Sequence, residues 1–118
     1  MKISNINILS PATSAAIPYT SPSFYVGSIT DFSVQLIYTT TNLTAKIQVS
    51  NDQGTPQGQS FTAEGVVNWT DMTGSAVTDS SSGNIMYDVA ECSYRWMRVV
   101  ITGNGTLTSA RINLKSEA

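Results

Sequence analysis

Tyr94-Arg95-Trp96-Met97-Arg98-Val99-Val100-Ile101-Thr102 is the densest run of strand-forming residues in a chain of 118. Successive side chains of a strand point to opposite faces, so the run separates into two sets. Met97, Val99 and Ile101 make one face, suited to a packed core. Tyr94, Trp96, Arg98 and Val100 make the other. Two large rings beside a guanidinium are poorly placed in bulk water, and Trp, Tyr and Arg dominate interface energetics. That second face is expected to be covered by the proline-rich segment at residues 10–23, by a neighbouring subunit, or by a sugar ring.

The same alternation recurs outward from this run. Phe32–Thr39 places Phe32, Val34, Leu36 and Tyr38 on one side, with Ile37 as an exception on the other. Leu43–Ser50 places Leu43, Ala45, Ile47 and Val49 against Thr44, Lys46, Gln48 and Ser50. Only Thr40-Thr41-Asn42 separates the two runs, which predicts an antiparallel hairpin. Strands are also predicted over residues 3–9, Phe24–Val26, Val66–Thr70, around Ile85–Val89 and over Thr106–Leu114. Asn104-Gly105 favours the left-handed residues of a two-residue hairpin turn. Residues 51–58 are turn chemistry throughout, and 71–82 are small and polar. Residues 10–23 hold three of the four prolines, which remove backbone donors and suit an extended arm or loop. The sole helical candidate is a single turn at 90–94.

About eight short strands with turn signals between them predict an all-β fold, an antiparallel sandwich of jelly-roll type. At this length the chain reads as one domain, 1–118. The expected interior is Val34, Leu36, Ile47, Val49, Trp69, Met97, Val99, Ile101, Ala110 and Ile112. Trp69 is placed there because it shares parity with Val67.

Charged residues are 12% of the chain, against about 25% in an average domain, and the net charge is −2. Six scattered basic residues argue against nucleic acid as a partner. No stretch is apolar enough for a membrane span, and the polar run after Lys2 is no secretory leader. The chain is thus expected to be soluble and made in the cytoplasm.

Zero histidines and one cysteine, Cys92, leave no Ser-His-Asp arrangement, no disulfide and few transition-metal options. Cys92 lacks the usual base and reads as a small strand-edge residue. The eight acids mostly fall in predicted turns, and Asn51 with Asp52 lacks the acidic spacing of a calcium loop. The expectation is no catalytic residue, no metal and no cofactor.

Two motifs carry a resemblance. Ile47-Gln48-Val49-Ser50-Asn51-Asp52 is followed after a loop by Trp69-Thr70-Asp71-Met72, and Tyr94–Ile101 by Gly105-Thr106-Leu107-Thr108. Over residues 32–115 the chain resembles small bacteriophage virion structural proteins of heads and tails. It is similar, more distantly, to discoidin-type and carbohydrate-binding jelly rolls. The first likeness implies a non-enzymatic virion part present in many copies, such as a head decoration or a head–tail connector, whose partners are other virion proteins or copies of itself. The second implies glycan binding through loops at one end of the sandwich. Tyr94, Trp96 and Arg98, with Ile17, Tyr19 and Phe24 from the arm and the strand after it, are the candidate interface residues.

Overall fold

The computed structural model describes residues 2–10, 12–52, 55–57, 60–62, 66–90 and 92–116, with backbone alone at residues 2, 55–57 and 60–62. In chain order the strands are β1 (Lys2–Asn7), β2 (Ala15–Ala16), β3 (Tyr19–Thr20), β4 (Phe24–Tyr25) and β5 (Asp31–Thr39). There follow β6 (Leu43–Ser50), β7 (Thr55–Gln57), β8 (Ser60–Thr62), β9 (Thr70–Asp71) and β10 (Val77–Asp79). The last are β11 (Gly83–Val89), β12 (Trp96–Gly103) and β13 (Thr106–Ser116). No described residue is helical, including those of the candidate turn at 90–94; Glu91 lies outside the described residues.

The strands form two antiparallel sheets. One runs β1-β13-β5-β11, with β2 continuing the β1 edge along β13. The other runs β10-β6-β12-β3, with β9 and β4 continuing its two edges. Counting each split edge as one strand gives four strands per sheet in the connection order of a jelly roll. β7 and β8 form a separate two-stranded ribbon within a stretch whose first part reads in sequence as turn.

Alternation decides what faces inward. Val34, Leu36, Ile47, Val49, Met97, Val99, Ile101, Ala110 and Ile112 are all buried as expected. Phe32, Tyr38, Leu43 and Ala45 join them from the same strands, Ile85 and Tyr87 from β11, and Ile8, Leu9, Ile17 and Val26 from connecting segments. Leu107 is fully buried although its parity opposes that of Ala110. A bulge between Leu107 and Ser109 inserts one residue, which brings both side chains to the inner face.

The expected β5–β6 hairpin does not form. β5 lies in one sheet and β6 in the other, and β12 and β13 are divided the same way. The two turns cross the sandwich together. Thr39 pairs with Thr106 on one side of the crossing and Leu43 with Gly103 on the other, so a two-stranded ribbon bends over the end of the molecule. Gly103 and Gly105 have φ of 113° and 111°, open to glycine at no steric cost. A Cβ at Gly103 would collide with the Asn42 carbonyl oxygen, and one at Gly105 with that of Thr39. Asn104 fastens the bend: its N–H donates to the Asn42 carbonyl at 2.9 Å, and its Oδ1 accepts from the Thr41 N–H and hydroxyl at 3.2 and 3.1 Å.

Three further expectations are corrected. The Val66–Thr70 strand is reduced to Thr70–Asp71, and Val67 is 74% exposed. Trp69 is half-buried and outside the core cluster. Parity with Val67 carries no information because no ladder spans the two residues. The strand of the opening motif begins at Trp96, so Tyr94 precedes it.

Candidate functional site

The outer face of the second sheet is built from the even-numbered residues of β6 and β12. Register sets Arg98 beside Gln48, Val100 beside Lys46 and Trp96 beside Ser50, while β9 sets Asp71 beside Gln48. A polar chain follows from this register. Arg98 Nε donates to Gln48 Oε1 at 2.8 Å, Gln48 Nε2 donates to Asp71 Oδ1 at 2.9 Å, and Lys46 Nζ donates to Asp71 Oδ2 at 3.0 Å. These bonds, that from Gln48 first, hold the Asp71 carboxyl below the usual carboxylate range. Both ends of the Lys46–Asp71 pair reach solvent, so water and salt screen it and it adds little to stability. The Arg98 guanidinium lies 4.3 Å from the centre of the Trp69 ring, within cation–π range.

Trp96 is 2% exposed, yet it is not part of the sandwich core. Tyr25, its register partner on β4, meets it edge-on at 5.2 Å between ring centres. The face expected to need a cover is therefore covered at Trp96 by the chain itself, through the strand after the proline-rich segment. Trp96 Nε1 is buried with no hydrogen-bond partner among the described residues. Ile17 is a core residue, and Tyr19 and Phe24 pack partly buried against the core through β3 and β4. The proline-rich segment thus lies along its own sandwich, pairing with β13 and then with β12.

Tyr94 goes elsewhere. The chain bends at Arg95, whose N–H donates to the Ser50 carbonyl at 3.2 Å and to Asn51 Oδ1 at 3.1 Å. Tyr94 then packs partly against the core and borders two open depressions at the loop end of the sandwich. One, of about 370 Å³, is lined by Asn51, Asn68, Thr70, Asp71 and Thr73 among others. The other, of about 730 Å³, is lined by Tyr25, Asn51, Ser93 and Arg95 among others. Amides, hydroxyls, a carboxylate and a guanidinium around an aromatic ring can hydrogen-bond and stack a polar, hydroxyl-rich molecule.

Asp52 closes the base of the long loop at this end. Its carboxylate accepts from the Val67 and Asn68 N–H groups at 2.8 and 2.9 Å and from Asn68 Nδ2 at 3.0 Å. The Asn68 side chain leads in lowering its pKa, followed by the two backbone donors. This carboxylate acts as a clamp, and no group of three or more metal-ligating side chains occurs among the described residues. Burial pushes the Cys92 thiol up, with Sγ 3.8 Å from the Val26 carbonyl oxygen, so it is a poor thiolate. Four acids expected mostly in turns, Asp31, Asp71, Asp79 and Asp88, lie in strands; Glu64, Glu91 and Glu117 lie outside the described residues.

The fold has a solved counterpart. The crystal structure of the SPBc2 prophage-derived protein YomS matches with a TM-score of 0.59 and 13% sequence identity, over 96% of this chain and 92% of that one. No protein-family model matches the chain, and no curated protein matches it in sequence. At this identity the likeness to YomS concerns the fold.

Tyr25, the Lys46–Gln48–Asp71 chain and the Asp52 clamp were not foreseen from residue order. Lys46 and Gln48 were visible as the outward residues of a clean alternation. Tyr25 and Asp71 carried no such signal, because their two-residue strands are too short to show a period.

Proposed function

We propose that this chain is a non-enzymatic bacteriophage structural protein, carried in the virion in several copies on the head or at the head–tail region, as a decoration or connector. The observation that carries this reading is the fold shared, nearly end to end, with a prophage-derived protein. The motifs of β6 and β12 point the same way, and a jelly roll is an architecture that capsid domains use. The test is mass spectrometry of purified particles, followed by electron microscopy with the chain labelled. Peptides of this chain at a stoichiometry of many copies per particle support the reading. Particles free of it sink it.

A second reading, glycan binding for attachment to a host surface, is favoured by Tyr94 lining two open depressions at the loop end, one mixed and one mainly polar. On this reading Tyr94→Ala abolishes retention on a panel of surface polysaccharides while leaving the melting temperature within a few degrees. A parent protein that binds none of them removes it.

A further inference from the structure

Each sheet has two edges, and three of the four are broken. On β12 the edge is split into β3 and β4, and between them Ser21 Oγ accepts the Val99 N–H at 2.8 Å. On β6 it is split into β9 and β10, and between them Ser75 Oγ accepts the Ile47 N–H at 3.1 Å and donates to the Ile47 carbonyl at 3.2 Å. On β13 it is split into β1 and β2, six and two residues long, with the first piece opening on a lysine. Short pieces and lysine are recognised ways of blunting an edge, and here Ser21 and Ser75 also take up the backbone groups left between the pieces.

The fourth edge is different. β11, Gly-Asn-Ile-Met-Tyr-Asp-Val, is seven unbroken residues with neither proline nor lysine. Its inner residues Ile85 and Tyr87 are buried, and its outer residues Asn84, Met86 and Asp88 are exposed. It pairs with β5 alone, and among the described residues no other segment hydrogen-bonds its backbone. Met86 is 60% exposed, and Ile37, 41% exposed, stands on the same outer face of β5.

We infer that the β11 edge pairs antiparallel with the β11 edge of a second copy, about a two-fold axis at Met86, joining two sheets into one. The strand is self-complementary in this register. Met86 meets Met86 of the second copy, and Asn84 meets Asp88, an amide donor opposite a carboxylate. Ile85 meets Tyr87 on the inner side, and no two like charges face each other. Moving the axis to Tyr87 would set Asp88 against Met86 and leave both carboxylates without the amide. A two-fold pairing closes on itself. A single strand pair is a small interface, so the dimer dissociates on dilution. This deepens the many-copy part of the proposed function, but it does not need the virion.

The experiment is sedimentation velocity on the full chain from micromolar to millimolar concentration. A monomer–dimer equilibrium is expected, and Met86→Lys abolishes it with the melting temperature of the exposed-site variant unchanged. Met86→Cys forms a disulfide-linked dimer on mild oxidation, because directly opposed Cα atoms lie about 4.5–5.5 Å apart. Asn84→Cys forms none, and neither does the parent with Cys92 alone. A monomer at every concentration overturns the inference. So does a ladder of larger species, the mark of β11 pairing with a different edge, or a dimer indifferent to both changes at Met86. Presence of the chain in purified particles is measured separately, so the edge can fail while the virion reading stands, and the reverse.

Discussion

The two ends of the sandwich are built on opposite plans. At one end the sheets are joined by the short connections 17–18, 40–42, 80–82 and 104–105. These tie to one another as well as to their strands: Ile17 N–H donates to the Gly105 carbonyl, Thr40 Oγ1 to the Asn104 carbonyl and Thr40 N–H to Ser82 Oγ. At the other end the connections 26–30, 51–69 and 90–95 are longer; backbone bonds from Val26 to Arg95 and from Cys92 to Thr30 tie the first to the last, and the Asn51 and Asp52 side chains hold Arg95 and the backbone at 67–68. The short end interlocks its turns through backbone groups and the short side chains of Thr40, Ser82 and Asn104, so it tolerates little change. The long end presents side chains around open depressions and can vary its chemistry without disturbing the sheets. Binding loops on a fixed scaffold follow this division.

The largest expected effect erases the contrast. Val99 is buried in the core shared by both ends. Val99→Asp puts an unpaired charge there and should cost several kcal/mol, on the order of the total stability. Chemical denaturation measures it, and a variant as stable as the parent would mean the inner face has been misassigned. Next comes a pair that isolates the short end. Gly103→Ala, with φ of 113° and the Asn42 carbonyl in the way, should cost about 3 kcal/mol. Gly74→Ala, with φ of 78° but nothing within 4 Å, should cost about 1 kcal/mol. Equal losses would show that backbone conformation alone, and no interlock, governs the short end.

Alkali should loosen the short end selectively. Burial first, then the hydrogen bond to Asp79, pushes the Tyr38 hydroxyl up to about 12, and burial does the same for Tyr87. A tyrosine whose folded pKa is raised supports the fold fully below the unfolded value of about 10. That support is lost as pH rises from there towards 12. Tyr38 donates to Asp79 Oδ2 at 2.5 Å, next to the pairing of Asp79 with Leu43 at the short end, so ionisation sets two anions together. Amide exchange at residues 38–43 should accelerate before exchange at 50–52, and the order should vanish in Tyr38→Phe. In acid the sign reverses. Asp52, Asp71 and Asp79 have lowered pKa values, so their support holds above the unfolded value of about 3.8 and fades as pH falls through the folded ones.

The smallest effect concerns the long end alone. Asp52→Ala releases the Val67 and Asn68 donors but touches no sheet. Limited proteolysis should cut within residues 53–66 faster, with global stability moved less than by Gly103→Ala. An unchanged cutting rate would deny Asp52 its role as the clamp.

Nearly all of the inner face was legible from residue order. A period of two is a local property, and Val34, Ile47, Val99 and Ile112 each declare their side through immediate neighbours. Trp69 failed that reasoning because parity means nothing where no ladder exists. Tyr94 failed it because the bend at Arg95 resets the count, and that bend depends on Ser50 and Asn51, distant in sequence. The proline-rich segment was legible as extended, while its course along both sheets was not.

The sequence by itself determined that this chain makes short antiparallel strands with one apolar face each. The tertiary structure alone decided how those strands are shared between sheets. Thr40-Thr41-Asn42 fits a hairpin when read alone. It becomes a crossing because Gly103, Asn104 and Gly105 let a distant segment of the same chain lie against it and hydrogen-bond it there. Likewise, the sequence supplied Trp96 and Tyr25 without linking them, and only the pairing of β4 with β12 brings the two rings together. Alternation is written in neighbouring residues, whereas strand pairing is a contest between distant segments for the same backbone hydrogen bonds.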